Sequence, residues 1–87
     1  MFLVYVLFSE KDRKLYVGCT SNLEKRLERH SSGYVQATKN RRPLVLIHSE
    51  QYSDKGQAFQ RERFLKSLWG AREKKKILNE YIQRNML

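Results

Sequence analysis

The sequence predicts an α+β fold: a small three-stranded antiparallel sheet, made of a hairpin plus a third strand, packed by helices. Three observations predict it. Residues 2–8 (FLVYVLF) and 15–20 (LYVGCT) are apolar, β-branched and aromatic, with only the polar run SEKDRK between them. A further apolar run, LVLIHSE at 44–50, follows after an interval long enough to hold a helix. Two helix-capping signatures, SNLE at 21–24 and DKGQ at 54–57, mark where helices begin.

The first run is almost continuously apolar, as suits a strand buried on both faces. Residues 9–14 are turn material and close a hairpin with the second run. A loop at 9–12 sets Phe8 opposite Arg13 and Tyr5 directly opposite Tyr16, so the two tyrosines share a face. Ser21 as N-cap, answered by Glu24, then starts a helix that runs to about Ser32, where Gly33 supplies a left-handed stop. Its inward stripe carries Leu23 and Leu27, and Arg26 and His30 fall on the same side at about 100° per residue. Residues 35–42 (VQATKNRR) read as irregular structure or a short helical turn ending in a basic cluster before Pro43. The third strand follows. Asp54, answered by Gln57, caps a second helix whose apolar face holds Ala58, Leu65, Leu68 and Trp69, with Glu62 inside that arc. A last helix, from about Ala71 to Arg84, packs through Ile77, Leu78, Tyr81 and Ile82. Its first half, REKKK (72–76), is solvated.

At 87 residues and 40% hydrophobic content the chain reads as one globular domain, residues 1–87, rather than a disordered segment. Eighteen Lys and Arg against nine Asp and Glu leave a net charge of +9, which points to a polyanion, nucleic acid before an anionic membrane. The N-terminal apolar run is far shorter than the roughly 20 residues of a membrane helix. It also has no basic lead-in and no small-residue cleavage site, so neither an anchor nor a signal peptide is expected. Cys19 is the only cysteine, which excludes an internal disulfide and a cysteine-based zinc site and fits a reducing cytoplasm.

Five polar side chains fall where apolar ones belong: Tyr5 and Tyr16 on the hairpin, Arg26 and His30 on the first helix, Glu62 on the second. Each has a plain structural explanation. Arg26 can lay its stem along the stripe, His30 can bond a backbone group, and Glu62 can pair with a nearby arginine. His48, in the third strand, reads as structural. Together in a basic chain, however, the five suit phosphodiester hydrolysis, which needs a cation at the phosphate, a deprotonated water and relief of charge on the leaving oxygen. A lone carboxylate suits magnesium, which keeps most of its waters. Arginine offers a planar fork to phosphate oxygens. Tyrosine, with a reference pKa of about 10, needs a nearby cation to act as a base.

These residues give the chain its resemblance to the GIY-YIG nuclease superfamily, in particular to its small stand-alone bacterial members and the nuclease domain of the bacterial excision-repair endonuclease. Leu3-Val4-Tyr5 stands in for the first name-giving motif and Tyr16-Val17-Gly18 for the second. Arg26 and His30 in NLEKRLERHSSG (22–33) match the family helix with Arg followed by His, and Glu62 in AFQRERFLKSLWG (58–70) matches the glutamate helix. TKNRRPLVLI (38–47) also looks like the stand-alone members. The likeness spans about residues 2–70, with the C-terminal helix, about 71–85, beyond it. The glycine and isoleucine of the first motif are replaced by Leu3 and Val4, and no residue after Glu62 matches the family's asparagine convincingly.

The resemblance implies a metal-dependent endonuclease acting on DNA, with RNA as a second candidate, selective for structure rather than sequence. One divalent ion, Mg2+ or Mn2+, would sit at Glu62, and Arg26 would hold the scissile phosphate. One of Tyr5 and Tyr16 would deprotonate or orient the attacking water, and His30 would support the phosphate or relay a proton. Gly18 would keep the backbone bare for a close approach. Lys39, Arg41 and Arg42 would contact the nucleic-acid backbone. The partner is nucleic acid rather than a membrane, the chain is expected to be a monomer, and a protein partner is a candidate source of specificity. The alternative is a non-catalytic or partner-dependent nucleic-acid-binding module on the same fold.

Overall fold

A computed structural model describes residues 1–85. In chain order the elements are β1 (Phe2–Ser9), β2 (Leu15–Thr20), α1 (Leu23–Ser31), β3 (Leu44–Tyr52), α2 (Lys55–Lys66), a one-turn 3-10 helix (Leu68–Gly70) and α3 (Ala71–Asn85). The predicted α+β class and the three-stranded antiparallel sheet are both present, in the order β2-β1-β3.

Placing β1 in the middle divides its side chains between two faces. Val4 and Val6 join Val17, Ile47, Ala58, Leu65 and Ile77 in the core under α2 and α3. Tyr5 points the other way, toward α1, where it meets His30 and Arg26. β1 therefore anchors both the core and the opposite face, and Val4, Tyr5 and Val6 have no exposed surface.

The hairpin register differs from the sequence expectation. The connection runs over residues 10–14 rather than 9–12, because Ser9 ends β1 and organises the turn. Its amide donates to the Lys14 carbonyl, its carbonyl accepts from Arg13, and its hydroxyl accepts from the Lys11 and Asp12 amides. Arg13 adopts φ 60° inside this turn. Phe8 consequently pairs with Leu15, and Tyr5 pairs with Gly18 rather than Tyr16. The difference is an even number of residues, so Tyr5 and Tyr16 still share a face, diagonally placed.

A bulge in β3 between the partners of Val6 and Leu7 shifts that strand's alternation. Ile47 is buried in the core, yet His48, Glu50 and Tyr52 are the less exposed residues beyond it, with Ser49 and Gln51 exposed. The bulge thus turns Glu50 toward α2, where it receives two hydrogen bonds from Arg61, at 2.9 Å from both Nε and a terminal nitrogen. His48 Nε2 lies 2.7 Å from Glu50, a partner that the sequence did not suggest.

Helix ends follow local chemistry. The N-cap of α1 is Asn22, not Ser21: the Asn22 side chain accepts from the Lys25 amide while Thr20 Oγ1 accepts from the Asn22 amide. Gly33 stops the helix with φ +83°. Asp54 caps α2 as predicted, accepting from the Gly56 amide. That helix ends at Lys66, sooner than its apolar periodicity suggests. Ser67 takes an extended conformation and its hydroxyl donates to the Phe64 carbonyl. The chain turns there, and Leu68 and Trp69, expected on the packing face, point outward at 94% and 85% exposure. Ile82, expected in the packing stripe of α3, lies on its rim. No helix among the described residues is long and apolar enough to cross a membrane.

Candidate active site

The face of the sheet turned toward α1 gathers four of the five residues singled out above. Leu23, Arg26, Leu27 and His30 form the inward side of α1, and His30 is fully buried. Its ring lies edge-on to both tyrosines, with centroids 5.7 Å from Tyr5 and 5.1 Å from Tyr16. The two phenol rings are 6.4 Å apart.

One hydrogen-bonded chain runs through the site. Arg26 Nε donates to Tyr5 Oη over 3.1 Å, Tyr5 Oη and His30 Nε2 are 2.9 Å apart, and His30 Nδ1 lies 2.8 Å from Thr38 Oγ1. Arginine has no lone pair to offer, so the Tyr5 hydroxyl directs its proton to His30 Nε2. That assigns the ring proton to Nδ1, which donates to Thr38. Burial, reinforced by the Arg26 charge, pulls His30 down to about 4, so the ring is neutral at physiological pH. Burial pushes the Tyr5 phenol up from its ordinary value, and the hydrogen bond from Arg26 only partly opposes it. Tyr5 is therefore held as a phenol. No buried side-chain polar atom among the described residues lacks a hydrogen-bond partner.

Thr38 was not legible as a site residue. It is fully buried in the turns between α1 and β3, a segment whose sequence shows only polarity and basic charge. Gly18 leaves room for a neighbouring side chain. The Tyr5 ring lies directly over it, and a β-carbon at position 18 would collide with the ring and its hydroxyl.

Glu62 reaches the same region from α2. Its charge acts on both Tyr5 and Cys19, and its carboxylate pairs with Lys66 Nζ at 3.0 Å rather than with an arginine. Lys66 in turn lies 6.0 Å from the centre of the Tyr16 ring. Glu62 is the acid on this wall, and no group of three or more His, Cys, Asp or Glu side chains is assembled among the described residues. A single carboxylate of this kind suits a hard divalent ion that keeps most of its water.

The basic cluster is divided. Lys39 is exposed. Arg41 is held by Asp12, 2.7 Å from its Nε, and this bond pulls Asp12 down to about 2. Arg42 donates to the Lys39 and Ser31 carbonyls, bracing the end of α1.

The family model described as the GIY-YIG catalytic domain matches residues 1–76. The chain is similar to the UPF0213 protein of Natronomonas pharaonis, with 40% identity over 78 residues that cover 88% of this chain and 91% of that one. It is also similar to the UPF0213 protein of Staphylococcus haemolyticus, 39% identical over 71 residues covering 80% and 85% of the two chains. The UPF0213 protein YazA of Bacillus subtilis is 41% identical over 71 residues, covering 80% of this chain and 70% of YazA. No solved structure matches the chain.

Proposed function

Because the chain belongs to the GIY-YIG family, a family with a nuclease-type fold whose nucleases generally use divalent metal ions, we propose that it is a metal-dependent endonuclease acting on DNA, with RNA as a second substrate class. The observation that carries this reading is the chain Arg26–Tyr5–His30–Thr38 with Tyr16 against it and Glu62 on the neighbouring wall. Two strands, two helices and the turn that carries Thr38 supply these groups.

Glu62 would hold one divalent ion, magnesium or manganese, and Lys66 would yield the carboxylate to it. When bound, the ion supplies charge neutralisation at the phosphate and at the leaving oxygen. Arg26 spends its Nε on Tyr5 and also interacts with Tyr16, and the rest of its guanidinium fork would hold the scissile phosphate. Tyr16 is only half-buried and is better placed than the enclosed Tyr5 to orient a water or accept its proton. Tyr5 sets the direction of Arg26, and His30 offers Nε2 as a proton acceptor behind it. The groups of the site address the phosphodiester and not the bases, which favours selectivity by nucleic-acid structure rather than sequence. Lys39 is exposed and, unlike Arg41 and Arg42, is not engaged in bracing the turns, so it is the member of the basic cluster placed to contact a phosphate.

The test is cleavage of a panel of DNA and RNA structures in magnesium or manganese against EDTA. Glu62→Ala and Arg26→Ala should each reduce cleavage at least 100-fold while remaining folded, and Tyr16→Phe should lose more than Tyr5→Phe. Undiminished cutting by either alanine variant overturns the assignment. The Lys66–Glu62 pair favours one second reading, a binding module on the same fold, since it already neutralises the carboxylate. That reading predicts tight binding without cutting, unaffected by Glu62→Ala.

A further inference from the structure

Among the described residues, the most exposed large apolar side chains lie outside the site. Leu68 and Trp69 project from the 3-10 turn that joins α2 to α3, and Phe64, 40% exposed, stands beside them. This turn is built tightly. Gly70 is buried, and a β-carbon there would run into the Phe64 carbonyl, so the turn sits directly on the end of α2. Trp69 is held out by a packed backbone rather than by a loose loop.

Phe64 and Trp69 form, with Arg72, Glu73 and Lys76, the walls of an open groove of about 430 Å³, within the size range of small-ligand pockets. Its charge is one-sided. Glu73 is taken by Arg61, 3.5 Å away, and Arg61 also stacks over Phe64 at 5.7 Å. Arg72 and Lys76 form no ion pair among the described residues. Two aromatic faces flanked by cations make a combination that suits an unpaired base with its phosphate. A hydrocarbon surface or an acidic peptide would use only half of it.

We propose that the Phe64–Trp69 groove is a second nucleic-acid contact, a stacking platform for an unpaired base of a single-stranded segment. The proposal rests on the nuclease reading and adds its substrate class. Glu62 and Trp69 are seven residues apart across the turn that ends α2, in a molecule no more than 32 Å across. A strand leaving the cleavage site would reach the groove within a few nucleotides. The favoured substrate is then a junction of paired and unpaired strands, the platform gripping the unpaired arm.

Trp69 is the only tryptophan of the chain, so indole emission reports on this groove alone. The experiment is a titration in EDTA, where nothing is cut, with a ten-residue oligothymidine, an abasic strand of the same length and a blunt duplex. Emission and the anisotropy of labelled strands are followed together. Oligothymidine should quench Trp69 saturably and the abasic strand should not. Trp69→Ala should weaken oligothymidine binding about 5- to 100-fold, leave abasic and duplex binding within two-fold, and be largely rescued by Trp69→Phe. If all three ligands bind the parent and Trp69→Ala alike, the platform is overturned while nucleic-acid binding stands. The platform is equally overturned if anionic vesicles, and not strands, shift the emission, or if light scattering shows a dimer that Trp69→Ala dissolves. A parent that binds none of the three removes the platform and the nuclease reading together, whereas binding without later metal-dependent cutting removes only the latter.

Discussion

At the scale of the residue, His30 shows how the site is set by burial. Its ring has 1% exposure and hydrogen bonds at both nitrogens, and its pKa falls from 6.5 to about 4. In the unfolded chain the same ring titrates near its ordinary value, so between about pH 6.5 and 4 the unfolded state binds a proton that the folded state refuses. Stability at His30 is therefore complete above pH 6.5 and is lost as pH falls through that window, by on the order of 2 to 3 kcal/mol. Thermal melts from pH 7.5 to pH 4 should show this decline, and His30→Gln, which keeps hydrogen-bonding groups but cannot titrate, should flatten it. Parallel curves for the two proteins would rule this out. The residues of this site were legible one at a time as polar side chains at apolar positions. Their pairing was not: Thr38 has no periodic signal, and Lys66 looks like any solvated helix lysine until the fold sets it beside Glu62 and Tyr16.

At the scale of the element, α2 is the part that carries Glu62, and two ion pairs of very different weight hold it. Burial would raise the Glu50 carboxyl, but hydrogen bonds from Arg61, Tyr52 and His48 overcome this and bring it down to about 2. Glu50 and Arg61 are each about one-quarter exposed or less, and they meet through two parallel bonds. Glu50→Ala leaves Arg61 with only the distant Glu73, and should cost about 2 kcal/mol, or roughly 8 to 16 °C in Tm. Lys66→Ala, at a half-exposed lysine one helical turn from its partner, should cost no more than about 0.5 kcal/mol. Melting the two variants beside the parent checks the ranking, and equal losses would refute it. Strands and helices were legible from apolar runs and caps because those are local signals. The β3 bulge was not, since a single added residue leaves the composition unchanged while it redirects His48, Glu50 and Tyr52. The end of α2 was missed because Leu68 and Trp69 continue its apolar period after Ser67 has already broken the backbone.

At the scale of the whole molecule, the net charge of +9 dominates encounter with a polyanion. Affinity for duplex DNA should fall with salt in proportion to the phosphates covered. A footprint of about four phosphates loses roughly two decades between 50 and 200 mM salt, which titrations at four salt concentrations would measure. A flat salt response would mean that the charge is not spent on phosphates. The total charge was legible; its allocation was not, because Arg41 and Arg42 brace the turns around Thr38 while Lys39 stays exposed. The contact between Tyr5 and Gly18 has a consequence at this scale as well. Sliding the hairpin by two residues keeps every apolar side chain on its own face, so hydrophobic burial alone can scarcely tell the two alignments apart. In the slid alignment the Tyr5 ring would lie over a strand position that bears a side chain. Only the native alignment offers it a vacancy, so the ring that lines the candidate site also acts as the key by which the chain chooses one hairpin over its near-equal competitor.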